Sequence, residues 1–228
     1  MLRPTHALMA LLGSAALAAA PPAPLPDSAL LGGLRSFLGT FTPTPGETSL
    51  LAYARTEALD WTAFQNLFSM QVTDTRARYL DWRGHTAMPT GSVFTTLRAA
   101  TYPAGARTLL VVNREWCTAG SCQTRTVFGW LDGGRPGTMT MSAVKDATVI
   151  PLIRDADFFA GPVPPCLKGV ALTVTYVPAW QGSTLAALAV APRAAQQTCA
   201  QAGITPEAAT RPLKLTWSPS TSKFRKGW

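Results

Sequence analysis

The stretch "TLLVVNREWCTAGSCQTRTVFGWLDGG", residues 108–134, decides the fold, because two apolar segments flank a pair of closely spaced cysteines. The first segment, "TLLVV", is continuously apolar, as expected of a buried strand. The second, "TRTVFGWL", alternates polar and apolar residues, as expected of a strand with one buried face. Only four residues separate Cys117 from Cys122, which is a loop length typical of β-hairpins. The stretch therefore predicts a hairpin with a cysteine on each side of its tip.

These two cysteines are expected to form a disulfide, because residues on either side of a hairpin loop face each other at disulfide distance. Their C-x4-C spacing differs from the C-x-x-C of thioredoxin-like redox sites, and a zinc site would need a second close Cys or His pair. A redox or metal role is the less favoured alternative. The two remaining cysteines, Cys166 and Cys199, are expected to pair with each other by elimination, which ties the segment before "VALTVTYV" to a predicted loop, "TCAQAG" (198–203).

Several other segments have the two-residue period of β-strands or the apolar content of buried ones. They are "SVFTTLRAATY" (92–102), "TMTMSAV" (138–144), "ALTVTYV" (171–177), "TLAALAVA" (184–191) and "LKLTW" (213–217). Glycine- and proline-rich turns such as "LDGGRPG" separate them, and no long helix intervenes as it would in a parallel sheet. The predicted fold is mainly β, an antiparallel sandwich or a partly open barrel.

The segment before the first strand is predicted to be a short α-helical lead over residues 27–70. "DSALLGGLRSFLG" has a capping aspartate, Asp27, followed by apolar residues at helical spacing. "PGETSLLAYARTEALDWTAFQNLF" has room for one or two more helices. No disordered linker follows, so we expect this lead to pack on the sheet and residues 21–228 to form a single domain.

Residues 1–20 have the layout of a secretory signal peptide. Arg3 supplies the positive charge, residues 7–20 are apolar, and Ala16 and Ala18 suit an A-x-A cleavage site. The apolar run is shorter than the roughly 20 residues that cross a bilayer. We therefore expect an exported protein, periplasmic or extracellular, without a transmembrane segment in the mature chain. An even number of cysteines fits that oxidising compartment.

The chain has a formal net charge of +8, from 20 Lys and Arg against 12 Asp and Glu. This excess suits an anionic partner such as an envelope polymer, although a diffuse solubilising charge is the simpler interpretation. The one modest cluster is Lys223, Arg225 and Lys226, close to the C-terminal end. With no arginine-rich arm and no recognition helix, sequence-specific nucleic-acid binding is not predicted.

Residues that could serve catalysis are few, and none is assigned a catalytic role. Asp155 and Asp157 lie two apart in "RDADFF" and could bind calcium or serve a glycosidase, but such a pair is more often a solvated turn. His85 is the one histidine outside the signal segment and lies in a glycine-flanked loop. No metal site and no cofactor are predicted. The charged segment "VTDTRARYLDWRG" (72–84) is expected to be an ion-paired edge strand.

The chain contains seven tryptophans, many for its length. Trp130 and Trp217 continue the apolar faces of strands and are expected inside. Trp116, Trp180 and Trp228 lie near loops or the terminus and are the candidates for a binding surface, where a tryptophan can stack on a sugar.

The order of "DTRARYLDWRG", the cysteine hairpin and a closing "LKLTWSPSTSKF" resembles a group of uncharacterised exported bacterial β-rich proteins. The matching positions are Asp74, Tyr79, Leu80, Cys117, Cys122, Trp217 and Phe224. The resemblance implies fold and compartment only, because the group has no assigned activity and brings no catalytic residue with it. Cys166, Cys199 and the helical lead are not part of its pattern.

The predicted function is a non-enzymatic envelope or periplasmic role that involves binding an anionic polymer or another protein. A secreted hydrolase that uses Asp155 and Asp157, with His85 as a helper, is the alternative. An inhibitor that presents the tip of the hairpin to another protein is a third possibility.

Overall fold

The computed structural model describes residues 29–88, 91–118, 121–132, 139–180 and 183–227. Its helices are α1 (Ala29–Thr40), α2 (Leu50–Thr56), α3 (Trp61–Asn66), α4 (Arg193–Gln201) and α5 (Pro206–Ala209). Its strands are β1 (Met70–Asp74), β2 (Tyr79–Met88), β3 (Gly91–Ala104), β4 (Arg107–Thr118), β5 (Ser121–Asp132), β6 (Thr140–Val144), β7 (Thr173–Pro178), β8 (Thr184–Val190), β9 (Leu213–Ser218) and β10 (Lys223–Lys226). The predicted signal peptide, Asp27 and Trp228 lie outside the described residues.

The strands form two antiparallel sheets, and this confirms the predicted fold class. Sheet A has six strands in chain order, β1 to β6, and sheet B has four, in the order β10-β9-β8-β7. Strands that are neighbours in the chain are neighbours in each sheet. Short connections join most of these antiparallel pairs, and a longer segment with α4 and α5 joins β8 to β9. No helix in the described part of the chain has the length and hydropathy needed to cross a membrane.

The middle of sheet A is covered on both faces, which explains the continuous apolar run of β4. Leu110 and Val112 pack with the helical lead, whereas Leu109 and Val111 pack with sheet B. Since successive side chains of a strand point to opposite faces, both sets of alternating positions must be apolar when both faces are buried. The molecule therefore has three layers in the order helices, sheet A and sheet B.

The helical lead contains α1, α2 and α3, as the sequence predicts. Ser49 caps α2 by accepting a hydrogen bond from the backbone N–H of Ala52, and Asp60 caps α3 in the same way through Ala63. Gly33 lets α1 approach sheet A closely, because a Cβ there would lie 2.7 Å from Leu131 Cδ1. The lead is thus a layer packed on the sheet.

Sheet B packs on the opposite face of sheet A through β7, which contacts β3, β4 and β5. The shared core contains aromatic and aliphatic side chains of both sheets. Among them are Tyr102, Leu109 and Phe128 of sheet A, and Tyr176, Leu185, Trp217 and Phe224 of sheet B. Trp217 is buried as predicted, whereas Trp130 is half-buried at the margin of this core.

Both predicted disulfides are confirmed. Cys117 of β4 lies directly opposite Cys122 of β5, and the two sulfurs are bonded. The strands continue past the cysteines to Thr118 and Ser121, so the connection is shorter than the four-residue loop that the sequence suggested. Residues 119–120 at its tip lie outside the described residues.

The second disulfide joins Cys166, in a 3-10 helix, to Cys199 of α4. It lies in a small separate core with Leu167, Ala191 and Ala195. The sequence analysis treated the region of Cys199 as a loop, and that interpretation is wrong. Helix α4 was missed because its sequence, "RAAQQTCAQ", contains no large apolar residue, and its buried face consists of the small residues Ala195 and Cys199.

The charged segment at residues 72–84 is also different from its prediction. It is a hairpin, in which β1 ends at Asp74 and β2 begins at Tyr79. The Asp74 carboxylate accepts hydrogen bonds from the backbone N–H groups of Arg76 and Ala77, which closes the turn. Of these two strands, only β1 lies at an edge of sheet A. Trp82 of β2 is fully buried beneath α3.

Candidate functional site

The two aspartates proposed for catalysis lie in a 3-10 helix, Asp155–Phe158, where each has a structural partner. Asp155 accepts a long hydrogen bond, 3.4 Å, from the backbone N–H of Leu172. Asp157 accepts one from the backbone N–H of Arg154 at 2.8 Å and forms an ion pair with Lys226. The Arg154 hydrogen bond and the Lys226 ammonium lower the pKa of Asp157 below its ordinary value. This carboxyl is therefore held ionised and does not suit the role of a general acid.

His85 is on β2, not in a loop, and its ring stacks on Phe94 of β3 with centroids 5.7 Å apart. No hydrogen bond or ion pair between described residues joins His85 to Asp155 or Asp157. The contacts thus give the hydrolase hypothesis no support, because acid, base and nucleophile must converge on one reacting atom.

The tryptophan candidates have different outcomes. Trp116 is only 2% exposed, so its assignment to a binding surface is wrong. It lies on the same face of β4 as Leu110 and Val112, which the helical lead covers. Trp180 is 52% exposed and packs its ring against Tyr79, with centroids 5.5 Å apart. Trp180 therefore stays a candidate for contact with a ligand.

The predicted cluster of Lys223, Arg225 and Lys226 is divided between two faces of β10. Phe224 lies in the core, so Lys223 and Arg225 on either side of it point outward and are exposed. Lys226 points the other way and is paired with Asp157. The prediction that Lys226 belongs to this cluster is therefore wrong, because successive side chains of a strand point to opposite faces.

The outer face of sheet B has a third cation that the sequence analysis missed. Lys214 of β9 is exposed and lies between the inward-facing Leu213 and Leu215. It belongs to the strand that pairs with β10. We call Lys214, Lys223 and Arg225 the basic strip. None of the three has an ion-pair partner among the described residues.

A second charged surface, on the part of sheet A that faces away from the helices, is electrically balanced. Asp81 pairs with Arg83 at 2.9 Å and with Arg98 at 3.4 Å, and Arg98 also lies 3.7 Å from Glu115. Burial raises the pKa of Asp81, but the two arginines outweigh burial and lower it. Because two cations face two anions here, this surface has little net attraction for a polyanion.

Glu115, Cys117 and Cys122 lie close enough together to suggest a metal site, with ligand atoms within 4.8 Å of one another. Both sulfurs are, however, joined in the hairpin disulfide. Metals bind thiolates, so this group has no sulfur ligand to offer while the disulfide is intact. The arrangement agrees with a structural role for the two cysteines.

A cleft of about 580 Å³, lined by both polar and apolar side chains, lies between β5 and β7. Threonines line its floor and bond to one another across the sheets: Thr124 Oγ1 lies 3.2 Å and Thr126 Oγ1 3.3 Å from Thr175 Oγ1. The side-chain amide of Asn113 donates to both Thr124 and Thr126. These hydroxyls are thus occupied by contacts that join the sheets.

No protein-family model matches the chain, and no curated protein or solved structure is significantly similar to it. The resemblance to exported bacterial β-rich proteins therefore stays a prediction.

Proposed function

We propose that this protein is exported, has no enzymatic activity, and binds an anionic polymer of the cell envelope through the basic strip. The observation that carries the proposal is the absence of ion-pair partners for Lys214, Lys223 and Arg225 among the described residues. The other charged surface, around Asp81 and Arg98, is neutralised by its own ion pairs.

The geometry of the strip suits a linear polyanion. Lys223 and Arg225 are two residues apart on one strand, and therefore about 7 Å apart along it. Lys214 is on the neighbouring strand, two residues from the position opposite Arg225, and is therefore about 7–8 Å from Arg225 along the diagonal. Cations at these spacings can contact successive charges of one polymer, and binding then releases the counterions of that polymer.

Export is supported by two observations that bear on different parts of the chain. Residues 1–20 have the composition of a signal peptide. Two disulfides are formed and no free cysteine is found among the described residues, as is typical of proteins in an oxidising compartment. A periplasmic or extracellular location agrees with an envelope polymer as the partner.

The test is retention of the oxidised mature protein on immobilised polyuronate, peptidoglycan and DNA over a series of salt concentrations. The variant Lys214→Gln/Lys223→Gln/Arg225→Gln should elute from the binding polymer at lower salt. On DNA, losing three phosphate contacts should reduce the slope of log K against log salt by about 2–3. A polyuronate and DNA distinguish a carboxylate polymer from a phosphate polymer.

The matched control is Lys145→Gln/Lys168→Gln/Arg193→Gln, which removes the same charge from exposed residues outside β9 and β10. This control variant should keep most of the wild-type slope of log K against log salt. Equal losses in the two variants would mean that net charge alone explains retention and would overturn the assignment to the strip. Failure to bind any of the polymers would reject the proposal and leave a protein partner, with exposed Phe94 and Trp180 as the first residues to test.

A further inference from the structure

The helical lead forms a cavity of about 300 Å³ between α1, α2 and α3, and this cavity is open to solvent on one side. Its floor contains the buried side chains of Phe41, Leu51 and Phe64. Its walls contain the half-buried side chains of Leu38, Leu59 and Trp61. All six are apolar, so the interior favours a hydrocarbon chain or a ring over water.

The rim of the cavity is positively charged. Arg35 lies over the Trp61 ring, 4.9 Å from its centroid. The guanidinium of Arg55 is exposed and has no hydrogen-bond or ion-pair partner among the described residues. Asp60 is the acidic residue of the rim, and its carboxylate is engaged as the cap of α3 through Ala63, at 2.8 Å. Arg55 is therefore the group available to an incoming anion.

We propose that this cavity binds a small amphipathic organic anion, with the apolar body among the helices and a carboxylate or sulfonate at Arg55. The charge of the rim selects an anion over a neutral or cationic amphiphile, because a guanidinium binds a carboxylate through charge-assisted hydrogen bonds. This site is formed by other residues than the basic strip and does not depend on the polymer proposal.

The size of the cavity limits the ligand to a short chain or a small ring system. A volume of about 300 Å³ lies at the lower end of the range for small-molecule sites. A medium-chain fatty acid meets this limit and the apolar and charge requirements together. The same chemistry is also found in an anionic lipid of a bilayer, and the experiment must distinguish the two sources.

The first measurement is calorimetric titration of the oxidised mature protein with decanoate, and with decanol as the neutral analogue. Decanoate should bind, and Arg55→Gln should weaken it about tenfold while changing decanol binding little, because one charge-assisted hydrogen bond is lost. The matched control is Arg76→Gln, in the turn between β1 and β2, which should leave both affinities unchanged.

Two variants block the cavity itself. Ala54 lines it, so Ala54→Leu places three more carbon atoms inside and should abolish decanoate binding while thermal unfolding stays cooperative. Gly39 also lines the cavity, so Gly39→Leu is the second blocking variant; a new Cβ there meets no atom within 4 Å, and we expect the fold to be unchanged. Decanoate binding that survives in a folded blocking variant would overturn the proposal.

Sedimentation with phosphatidylglycerol vesicles separates a free acid from a membrane lipid. We expect the protein to stay in the supernatant while it binds free decanoate. Sedimentation with vesicles without binding of free decanoate would overturn the proposal in favour of a lipid surface. Equal binding of decanol and decanoate in the wild type would also overturn it, because Arg55 would then contribute nothing.

Discussion

The carboxylate of Glu47 and the guanidinium of Arg114 form a buried, two-pronged ion pair between the helical lead and sheet A. Arg114 Nε lies 2.8 Å from Glu47 Oε1, and Nη2 lies 3.0 Å from Oε2. The side chain of Arg114 is 5% exposed and that of Glu47 is 0% exposed. Glu47 also accepts hydrogen bonds from Thr44 and Ser49. Because Glu47 precedes α2 and Arg114 is on β4, the pair fixes the first two helices on the sheet.

Removing one partner of this pair should be strongly destabilising. We expect Arg114→Met to lower the free energy of unfolding by about 3–5 kcal/mol, because the Glu47 carboxylate then stays buried without its cation. The double variant Glu47→Gln/Arg114→Met should be more stable than Arg114→Met alone. Urea denaturation at pH 7 measures both. As a control, Arg83→Met removes a half-exposed ion pair with Asp81 and should cost no more than about 1 kcal/mol.

The same pair predicts how stability depends on pH. Burial raises the pKa of Glu47, but hydrogen bonds from Arg114, Ser49 and Thr44 outweigh it and lower the pKa from 4.5 to about 2. Because the folded state holds the proton more weakly than the unfolded state, the ionised carboxylate stabilises the fold at all pH values above 4.5. This contribution, about 3 kcal/mol, is lost as the pH falls from 4.5 to 2.

The measurement is urea denaturation of the wild type and of Glu47→Gln at several pH values between 7 and 2. The difference between their free energies of unfolding should be constant above pH 5 and should shrink by about 3 kcal/mol towards pH 2. Other carboxylates titrate in both proteins and cancel in the difference. A difference that does not change with pH would show that the Glu47 carboxyl has the same pKa in the folded and unfolded states.

The two disulfides should contribute unequally to stability. Cys166 and Cys199 are 33 residues apart, whereas Cys117 and Cys122 are 5 apart, so the former pair restricts the unfolded chain more. Loop entropy predicts losses of about 4 kcal/mol for Cys166→Ala/Cys199→Ala and about 2 kcal/mol for Cys117→Ala/Cys122→Ala. Thermal unfolding of the two double variants shows which of them loses more stability. Polymer retention should survive in Cys117→Ala/Cys122→Ala, and a folded variant without retention would contradict the structural role of this disulfide.

The hydroxyl of Thr126 on β5 joins sheet A to β7, an edge strand of sheet B. Thr126 Oγ1 accepts a hydrogen bond from the backbone N–H of Tyr176 at 3.1 Å and donates one to its carbonyl at 2.8 Å. Thr126→Val keeps the shape but leaves both backbone groups without this partner, so it should cost about 1–3 kcal/mol in urea denaturation. Thr216→Val, on the exposed face of β9, is the matched control and should change stability by less than about 0.5 kcal/mol.

The fold class was predictable from sequence because it depends on residues that are close along the chain. The two-residue period of β7 and β9, the apolar run of β4 and the turn residues between strands are local patterns, and the structure has strands at each of them. The caps of α2 and α3 follow equally local rules. Helix α4 was missed because its buried face consists of small residues, Ala195 and Cys199, and no large apolar residue marks it in the sequence.

The residues of the proposed binding surface were predictable only in part. The two-residue period of the strand around Phe224 is sufficient to place Lys223 and Arg225 on one face and Lys226 on the other. The position of Lys214 beside this pair could not be predicted, because the sequence does not indicate which strand pairs with β10. For Trp116 the period gives the face of β4, but not the fact that the helical lead covers that face.

The sequence by itself thus determined the fold class, the helical lead and the hairpin disulfide through short-range periods and turn chemistry, and the second disulfide followed by elimination. Only the tertiary structure decided the ion pair of Glu47 with Arg114, the bridge from Thr126 to Tyr176, and the cavity below Arg55. The physical reason is that burial and pairing depend on residues far apart along the chain, 67 positions apart for the ion pair. Local patterns indicate which face of a helix or strand is apolar, whereas the packing of the layers determines which residues that face contacts.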